Sequence, residues 1–193
     1  MVHRKRKTYR NLALTPWNTL PWAHEGRQDI QKKTSKRRRR LSPYGKQLRA
    51  RRHVAVLYGN LRHGLLKRFM KTAAHFRGER VATLLKLLES RLEMVLFRTN
   101  AYVSLEAVRH ALRSRTITLN GRVMRHPGYM CQPGDIIGFH THDLERLLEQ
   151  KRLHPFPPAH LEIHYGLGKI VFLFAPQSAT YPHDPFQDFR IQR

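Results

Sequence analysis

The chain has 193 residues, 40% of them apolar, which is enough for a folded core in one domain or two small ones. It carries 37 Lys and Arg against 13 Asp and Glu, and the formal net charge of +24 indicates a polyanionic partner, either nucleic acid or an anionic membrane. No apolar run approaches the roughly 18 residues of a spanning helix, which disfavours a membrane, and the single cysteine excludes an internal disulfide and a Cys-x-x-Cys metal site.

The positive charge is concentrated in the first half of the chain, which begins with a basic arm. Residues 1–100 contain 26 Lys and Arg against 5 Asp and Glu, whereas residues 101–193 contain 11 against 8. Within residues 1–42, the stretch LTPWNTLPWAHEG shows no helical period, and its Trp17 and Trp22 would be costly in a free tail. We therefore predict that residues 1–42 form an extended arm that orders against a partner surface. Its five consecutive cations are candidate contacts to the polyanion: Lys36, Arg37, Arg38, Arg39 and Arg40.

A mitochondrial transit peptide is the alternative interpretation of this arm, since acidic residues are scarce in it. The arm lacks an Arg- and Ser-rich amphipathic helix with a clear end, and the sequence begins at Met1. We therefore expect no cleaved presequence, while an organellar location stays open.

The segment after the arm is predicted to be helical and basic. Ser42 can cap a helix that starts at Pro43 and stops at Gly59, and Asn60 can cap the next helix. Residues 79–100 then read as one long amphipathic helix whose leucines belong to the core. The candidate contacts of this segment lie largely outside the apolar stripes: Tyr44, Lys46, Gln47, Arg49, Arg51, Arg52, Arg62, Lys67, Arg68 and Lys71.

The second half of the chain changes from helices to short strands. Ser104 can cap a helix on which Arg109 and Arg113, four residues apart, share one face. A strand, an Asn120-Gly121 turn and a second strand follow, and a later Pro-Gly-Asp turn leads into another strand. The pattern predicts a compact domain that presents arginines, whose planar guanidinium groups suit the phosphates of a folded RNA. Its candidate contacts are Arg91, Arg109, Arg113, Arg115 and Arg122.

The chain contains the stretches LLESRLEMVLFR, EAVRHALRSRTITLNGRV and GYMCQPGDIIGF. All three resemble the S-four RNA-binding domain, also called the alpha-L motif. The upstream stretch RRLSPYGKQLRARRHVAVLYG resembles the segment that precedes this domain in the universal S-four family of small-subunit ribosomal proteins. A later stretch, PPAHLEIHYGLGKIVFLFAP, is similar to the C-terminal strands of that family, so the resemblance covers roughly residues 37–175.

The pattern and the resemblance together predict an α+β protein with four parts. A basic arm over residues 1–42 precedes a helical rRNA-binding half over residues 43–88. The S-four domain itself spans residues 89–142. A helix, C-terminal strands and a tail over residues 143–193 are expected to pack back on the body.

The resemblance also implies a function. It implies a structural protein that binds the 5′ domain of small-subunit rRNA early in assembly, beside ribosomal protein S-five and near the entrance of the mRNA channel. The Tyr-Gly-x-Gln-Leu-Arg signature of the family is matched from Tyr44 to Arg49. The family's bacterial members differ at residues 50–53 and in the arm, which favours a divergent mitochondrial member over a plastid or bacterial one.

A catalytic function is the alternative to this structural interpretation. S-four domains also precede the catalytic domains of pseudouridine synthases, whose working aspartate lies in an Arg-Leu-Asp motif. Here the related Arg91-Leu92-Glu93 lies inside the domain helix, and only about 50 residues follow the domain, which is too little chain for a catalytic domain. Glu89 and Glu93 are four residues apart, and we interpret them as salt-bridged surface positions and not as paired catalytic carboxylates.

Three histidines and the single cysteine are the candidates for metal binding and thiol chemistry. His154, His160 and His164 lack the cysteines, or the tight spacing with a carboxylate, of a zinc site. Cys131 precedes a turn and is interpreted as a half-buried small residue, not as a reactive thiol. We therefore expect no enzymatic activity, no cofactor and no bound metal.

Two function classes follow from the sequence. One is the structural ribosomal protein, and the other is a free-standing RNA-binding regulator or ribosome-rescue factor with the same domain. The helical segment upstream of the domain and the strands downstream of it favour the first class, because small rescue factors carry the domain with little else.

Overall fold

The computed structural model describes residues 42–102, 104–140 and 158–176. The predicted arm, with its run of cations from Lys36 to Arg40, and the helix predicted after residue 143 lie outside these residues. Described residues up to Ala74 belong to one compact unit, and those from His75 onward belong to a second.

Among the described residues, the first helix is α1 (Pro43–Leu57), which begins where the sequence predicts. The Ser42 hydroxyl accepts a hydrogen bond from the Gly45 N–H at 3.1 Å, and proline occupies the first helical position, where its missing N–H costs nothing. The helix ends before Gly59, whose φ of 76° lies in the left-handed region that stops helices.

Helix α2 (His63–His75) starts later than predicted, and the capping role assigned to Asn60 is wrong. Asn60 has a φ of 58°, so it continues the left-handed turn and lies three residues before the helix. The Arg62 carbonyl accepts the first helical hydrogen bonds instead, from Leu65 N at 3.0 Å and Leu66 N at 3.1 Å.

The single long helix predicted over residues 79–100 is wrong, because the chain breaks it into α3 (Arg80–Glu89) and α4 (Leu92–Arg98). At the break Arg91 is extended, with φ −71° and ψ 135°, and it forms a β-bridge with Met130. The loop around this bridge also satisfies backbone groups at the break. Leu92 N donates to Tyr129 O at 2.8 Å, Glu93 N to Pro127 O at 3.2 Å, and Cys131 N to Ser90 O at 2.7 Å.

Helix α5 (Leu105–Arg113) packs against α4 and has the predicted cap. The Ser104 hydroxyl accepts a hydrogen bond from Ala107 N at 3.2 Å. At the other end Arg115 is left-handed, with a φ of 63°, and Thr116 N donates back to Ala111 O at 3.3 Å. This is the ending that helices usually build with glycine.

A five-stranded antiparallel sheet completes the second unit and confirms the α+β fold class. Its strands are β1 (Ile117–Leu119), β2 (Arg122–Val123), β3 (Ile136–Phe139), β4 (Leu161–His164) and β5 (Lys169–Phe172). Their order in the sheet is β2-β1-β3-β5-β4. The predicted Asn120-Gly121 turn joins β1 to β2, with φ of 50° and 80° at its two residues. Of the predicted C-terminal strands, β5 pairs with β3 and β4 pairs with β5.

One face of the sheet is buried along β1, β3, β4 and β5, where inward residues alternate with outward ones, while both residues of β2 are exposed. Ile117, Leu119, Ile137, Ile170 and Phe172 are each at most 5% exposed. Leucines of α3, α4 and α5 are also fully buried, so helices and sheet share the core of this unit. Across the described part of the chain, no helix combines the length and the apolar character needed to cross a bilayer.

Candidate nucleic-acid interface

The first unit presents cations without any acidic neighbour along the chain. Between residues 42 and 74 the sequence has eight Lys and Arg and no Asp or Glu. Tyr44 adds a 69% exposed aromatic ring at the start of α1. The exposed candidates are Tyr44, Lys46, Arg52, Arg62, Lys67, Arg68 and Lys71, and the half-buried ones are Gln47, Arg49 and Arg51.

The second unit carries its candidate arginines on α5, at the end of α5 and on the hairpin that follows. Arg113, Arg115 and Arg122 are exposed, whereas Arg109 is half-buried. Arg113 Nε donates to the Arg109 carbonyl oxygen at 3.1 Å, which ties one guanidinium group to the helix backbone. These four side chains belong to consecutive elements of the chain, since Arg109 and Arg113 lie on α5, Arg115 follows its end and Arg122 begins β2.

Arg91 lies in the interior and not on the surface where we expected it. Its side chain is 6% exposed, and its Nη2 lies 2.8 Å from Glu93 Oε1 in an ion pair. Burial lowers the pKa of Arg91 from its ordinary value, while the Glu93 carboxylate opposes that shift and Arg109 adds to it. Glu93 Oε2 accepts a hydrogen bond from Arg109 Nε at 2.7 Å. One carboxylate therefore serves two guanidinium groups.

Glu89 forms a separate ion pair with Arg98. Arg98 Nε and Nη2 donate to the two carboxylate oxygens of Glu89 at 2.9 and 2.7 Å, which is a bidentate pair. The prediction that Glu89 and Glu93 are salt-bridged is confirmed, but their placement on the surface is wrong, since they are 1% and 0% exposed. Both carboxylates lie at the same helical spacing as the neighbouring leucines. That spacing was a signal for burial that the sequence reasoning missed.

Cys131 is buried, not half-buried as predicted. Burial raises the pKa of its thiol to about 12, and the Asp135 carboxylate adds to the shift. Burial also lowers the pKa of His160, which faces Phe172 at a centroid distance of 6.3 Å. Of the three candidate histidines His154 lies outside the described residues, and within those residues no group of three His, Cys, Asp or Glu could hold a metal ion.

Two exposed arginines were missed by the sequence reasoning. Arg125 follows β2 and Arg77 lies in the turn after α2, next to Phe76, which is 57% exposed. The signal for Arg125 was its position three residues after Arg122 in the same basic stretch. Nothing in the sequence alone distinguished Arg77 from an ordinary solvated cation.

These two units define a class: a basic α+β protein that presents cations on helix faces and beside a small antiparallel sheet. No family model matches the chain. Among curated proteins, "Small ribosomal subunit protein uS4" of Bartonella quintana is 30% identical over 151 residues, covering 77% of this chain and 74% of that protein. The protein of the same name from Chelativorans sp. is 35% identical over the same length and the same shares.

A plant protein is similar to the chain over a shorter stretch. "Small ribosomal subunit protein uS4c" of Jasminum nudiflorum is 35% identical over 132 residues, covering 66% of this chain and 64% of that protein. The chain belongs to the uS4 family of small ribosomal subunit proteins. The family resemblance seen in the sequence is thereby confirmed.

Proposed function

We propose that this protein is a structural component of the small ribosomal subunit and that it binds small-subunit rRNA. Membership in the uS4 family supports the first part. The observation that carries the second part is the stretch from residue 42 to residue 74. Six of its eight cations are exposed, and no carboxylate within it competes for them. Phosphates that neutralise such side chains release their counterions, which drives binding to RNA.

The two units have different roles in this proposal. The cations of α1 and α2 lie against a junction of rRNA helices, and Tyr44 contacts a sugar or an unpaired base, because an exposed aromatic ring is a stacking surface. Arg109, Arg113, Arg115 and Arg122 contact phosphates, which fixes the orientation of the protein without reading base sequence.

Arg91 has a structural role in place of the RNA contact expected for it. It is buried beside the β-bridge to Met130 and is paired with Glu93, so it stabilises the junction between α3 and α4. A phosphate would have to displace that carboxylate to reach it, at the cost of leaving a buried charge unpaired.

The position of the protein within the subunit is inferred from the family resemblance. The protein binds the 5′ domain of the rRNA early in assembly, and it lies beside ribosomal protein S-five and close to the mRNA channel. The relatives named above are bacterial and, in the case of uS4c, from a chloroplast. A mitochondrial ribosome as the location therefore stays a prediction, and a plastid or bacterial ribosome is its alternative.

The experiment for rRNA binding compares two exposed cations. Arg113→Ala is expected to weaken binding to every fragment of the 5′ domain and to lower the slope of log affinity against log salt by about 0.7–0.9, the value for one lost phosphate contact. The matched control is Lys169→Ala, which removes one exposed cation from β5 and is expected to leave the slope unchanged. Equal slopes for wild type and Arg113→Ala, with both folded, would contradict the proposal.

Two proposals concern the cations from Lys36 to Arg40, which lie outside the described residues. The first is that they neutralise neighbouring rRNA, and the second is that they border the mRNA channel and hold single strands apart. Replacing Arg38, Arg39 and Arg40 by Ala separates them. Subunits that assemble but stall more on structured messages support the second proposal. Failure of assembly, or equal translation of structured and unstructured messages, contradicts it.

A further inference from the structure

A completely buried carboxylate links the interior of the second unit to one of its surface arginines. Glu93 is 0% exposed, and its two oxygens face different partners. Oε1 pairs with Arg91, whose side chain is 6% exposed, and Oε2 accepts the hydrogen bond from Arg109, whose side chain is 28% exposed. Glu93 therefore has one partner in the core and one that reaches the surface.

The position of this carboxylate is fixed by its surroundings. Glu93 lies in the first turn of α4, and its own N–H donates to Pro127 O at 3.2 Å. The positive end of the helix dipole favours a negative charge there. Arg91 pairs with the other oxygen of the carboxylate, so Glu93 is held from two sides.

This arrangement restrains the guanidinium group of Arg109. An arginine has five N–H donors, and Glu93 uses only the Nε donor of Arg109, so the bond does not involve Nη1 and Nη2. The two Nη groups form the edge that donates to a phosphate in a bidentate contact. A side chain that is already held in place loses less conformational freedom when its ligand arrives.

We infer that Glu93 is a positioning residue for RNA binding, which holds Arg109 so that its Nη edge is ready for an rRNA phosphate. The inference rests on the proposed function, since it names a residue that acts on rRNA through another one. Glu93 itself touches no RNA, because it is completely buried. The same helix carries a second restrained guanidinium, since Arg113 Nε is bonded to the Arg109 carbonyl.

The change in net charge and the loss of positioning are expected to change the RNA affinity of Glu93→Gln in opposite directions. Removing a carboxylate makes the protein more positive by one charge, and on charge alone RNA binding should become tighter. An amide has a single, uncharged oxygen acceptor that cannot serve both Arg91 and Arg109 as the carboxylate does, so the restraint on Arg109 is weakened. If positioning dominates, the affinity for RNA falls by about threefold to tenfold, the value for one side chain that must be ordered on binding.

The matched control is a second buried carboxylate among the described residues, that of Glu89. Glu89 is 1% exposed and holds Arg98 in a bidentate pair. Glu89→Gln changes the net charge by the same amount and also breaks a buried ion pair, but it leaves the bond between Glu93 and Arg109 intact. Its affinity for RNA is expected to equal or exceed that of the wild type.

The experiment measures dissociation constants of the full chain for a 5′-domain rRNA fragment at several salt concentrations. The variants are E93Q, E89Q, R109A and the double variant E93Q/R109A, each checked for native folding by circular dichroism. We expect E93Q to bind about threefold to tenfold more weakly than wild type, with E89Q unaffected and E93Q/R109A no weaker than R109A alone. E93Q binding as tightly as wild type, or E93Q and R109A having additive effects, would overturn the inference.

Two further results have a defined meaning. If E93Q does not fold, E93D takes its place, since it keeps the negative charge beside Arg91 and withdraws the carboxylate from Arg109 by one methylene. Wild-type affinity in folded E93D then overturns the inference, and weakened binding that disappears in the R109A background supports it. If the wild type binds the fragment no better than an unrelated RNA of equal length, the proposed function fails, whereas specific binding by the wild type with no effect of E93Q or E93D refutes the positioning role alone.

Discussion

Arg115 occupies a backbone conformation that suits glycine, and its replacement by glycine is expected to stabilise the fold while weakening RNA binding. Its φ is 63°, its N–H donates to Leu112 O at 3.3 Å, and its side chain is exposed. A left-handed conformation costs an L-residue roughly 1–2 kcal/mol. Glycine removes that cost from the folded state. Its greater backbone freedom in the unfolded chain lowers the free energy of unfolding by roughly 0.5–1 kcal/mol, which offsets part of the gain.

The net change for Arg115→Gly is therefore a gain of about 0.5–1 kcal/mol in the free energy of unfolding. For a chain of this length such a gain raises the melting temperature by about 1–4 °C. The same change removes one cation from the proposed RNA surface. The slope of log affinity against log salt should then fall by about 0.7–0.9.

Thermal unfolding and RNA titrations on three variants separate the two effects. Arg115→Ala keeps the backbone cost and loses the cation, so it should weaken RNA binding without raising the melting temperature. Arg115→Lys keeps both the cost and the charge and should resemble the wild type. A lower melting temperature for Arg115→Gly would refute the backbone argument, and an unchanged salt slope would refute the phosphate contact.

Two further predictions concern the interior of the second unit. Gly138→Ala should lower the free energy of unfolding by about 1–3 kcal/mol in urea titrations, because an added Cβ would lie 2.6 Å from Thr118 Oγ1. The double variant Gly138→Ala/Thr118→Ala lacks the Thr118 hydroxyl and should recover part of the lost free energy of unfolding. A double variant as unstable as Gly138→Ala would contradict the clash. Cys131, with its pKa raised to about 12 by burial, should be unreactive towards an aromatic disulfide reagent at pH 8 until the protein is unfolded in urea. Because the thiol of the unfolded chain ionises near its ordinary pKa of 9.0 while the folded one stays neutral, wild type should lose stability relative to Cys131→Ala as the pH rises from about 9 to about 12. A constant difference between the two proteins over that range would show that burial does not hold the thiol neutral.

Local sequence chemistry was sufficient to predict several elements of this fold. Ser42 followed by Pro43 predicts the start of α1, and an Asn-Gly pair between two apolar runs predicts the β1–β2 hairpin. Each signal works because the conformation depends on residues within one turn of the chain. The structure confirms both.

The break between α3 and α4 could not be predicted in this way. Leucines continue the helical period across Ser90 and Arg91, so the local pattern favours one helix. The backbone groups at the break are satisfied by the loop around Met130, about forty positions later in the chain, and such a distant contact leaves no local signal. Arg91, which is buried, forms its β-bridge with the same loop. Along α1 and α2, in contrast, most of the predicted contact residues are exposed, because the polar side of a helix is set by its period, whereas Arg49 and Arg51 are half-buried. Their contact with RNA stays a prediction.

Sedimentation of ribosomal subunits tests the central claim most directly. Small and large subunits from the source cells would be separated on sucrose gradients, washed at high salt and quantified for this protein by mass spectrometry. We expect one copy for each small subunit, retained through the wash, since the proposed phosphate contacts along α1, α2 and α5 would together hold the protein in place. Its presence only on stalled large subunits would identify a rescue factor, and its complete absence from washed small subunits would identify a free regulator. Either result would contradict a structural role in the small subunit.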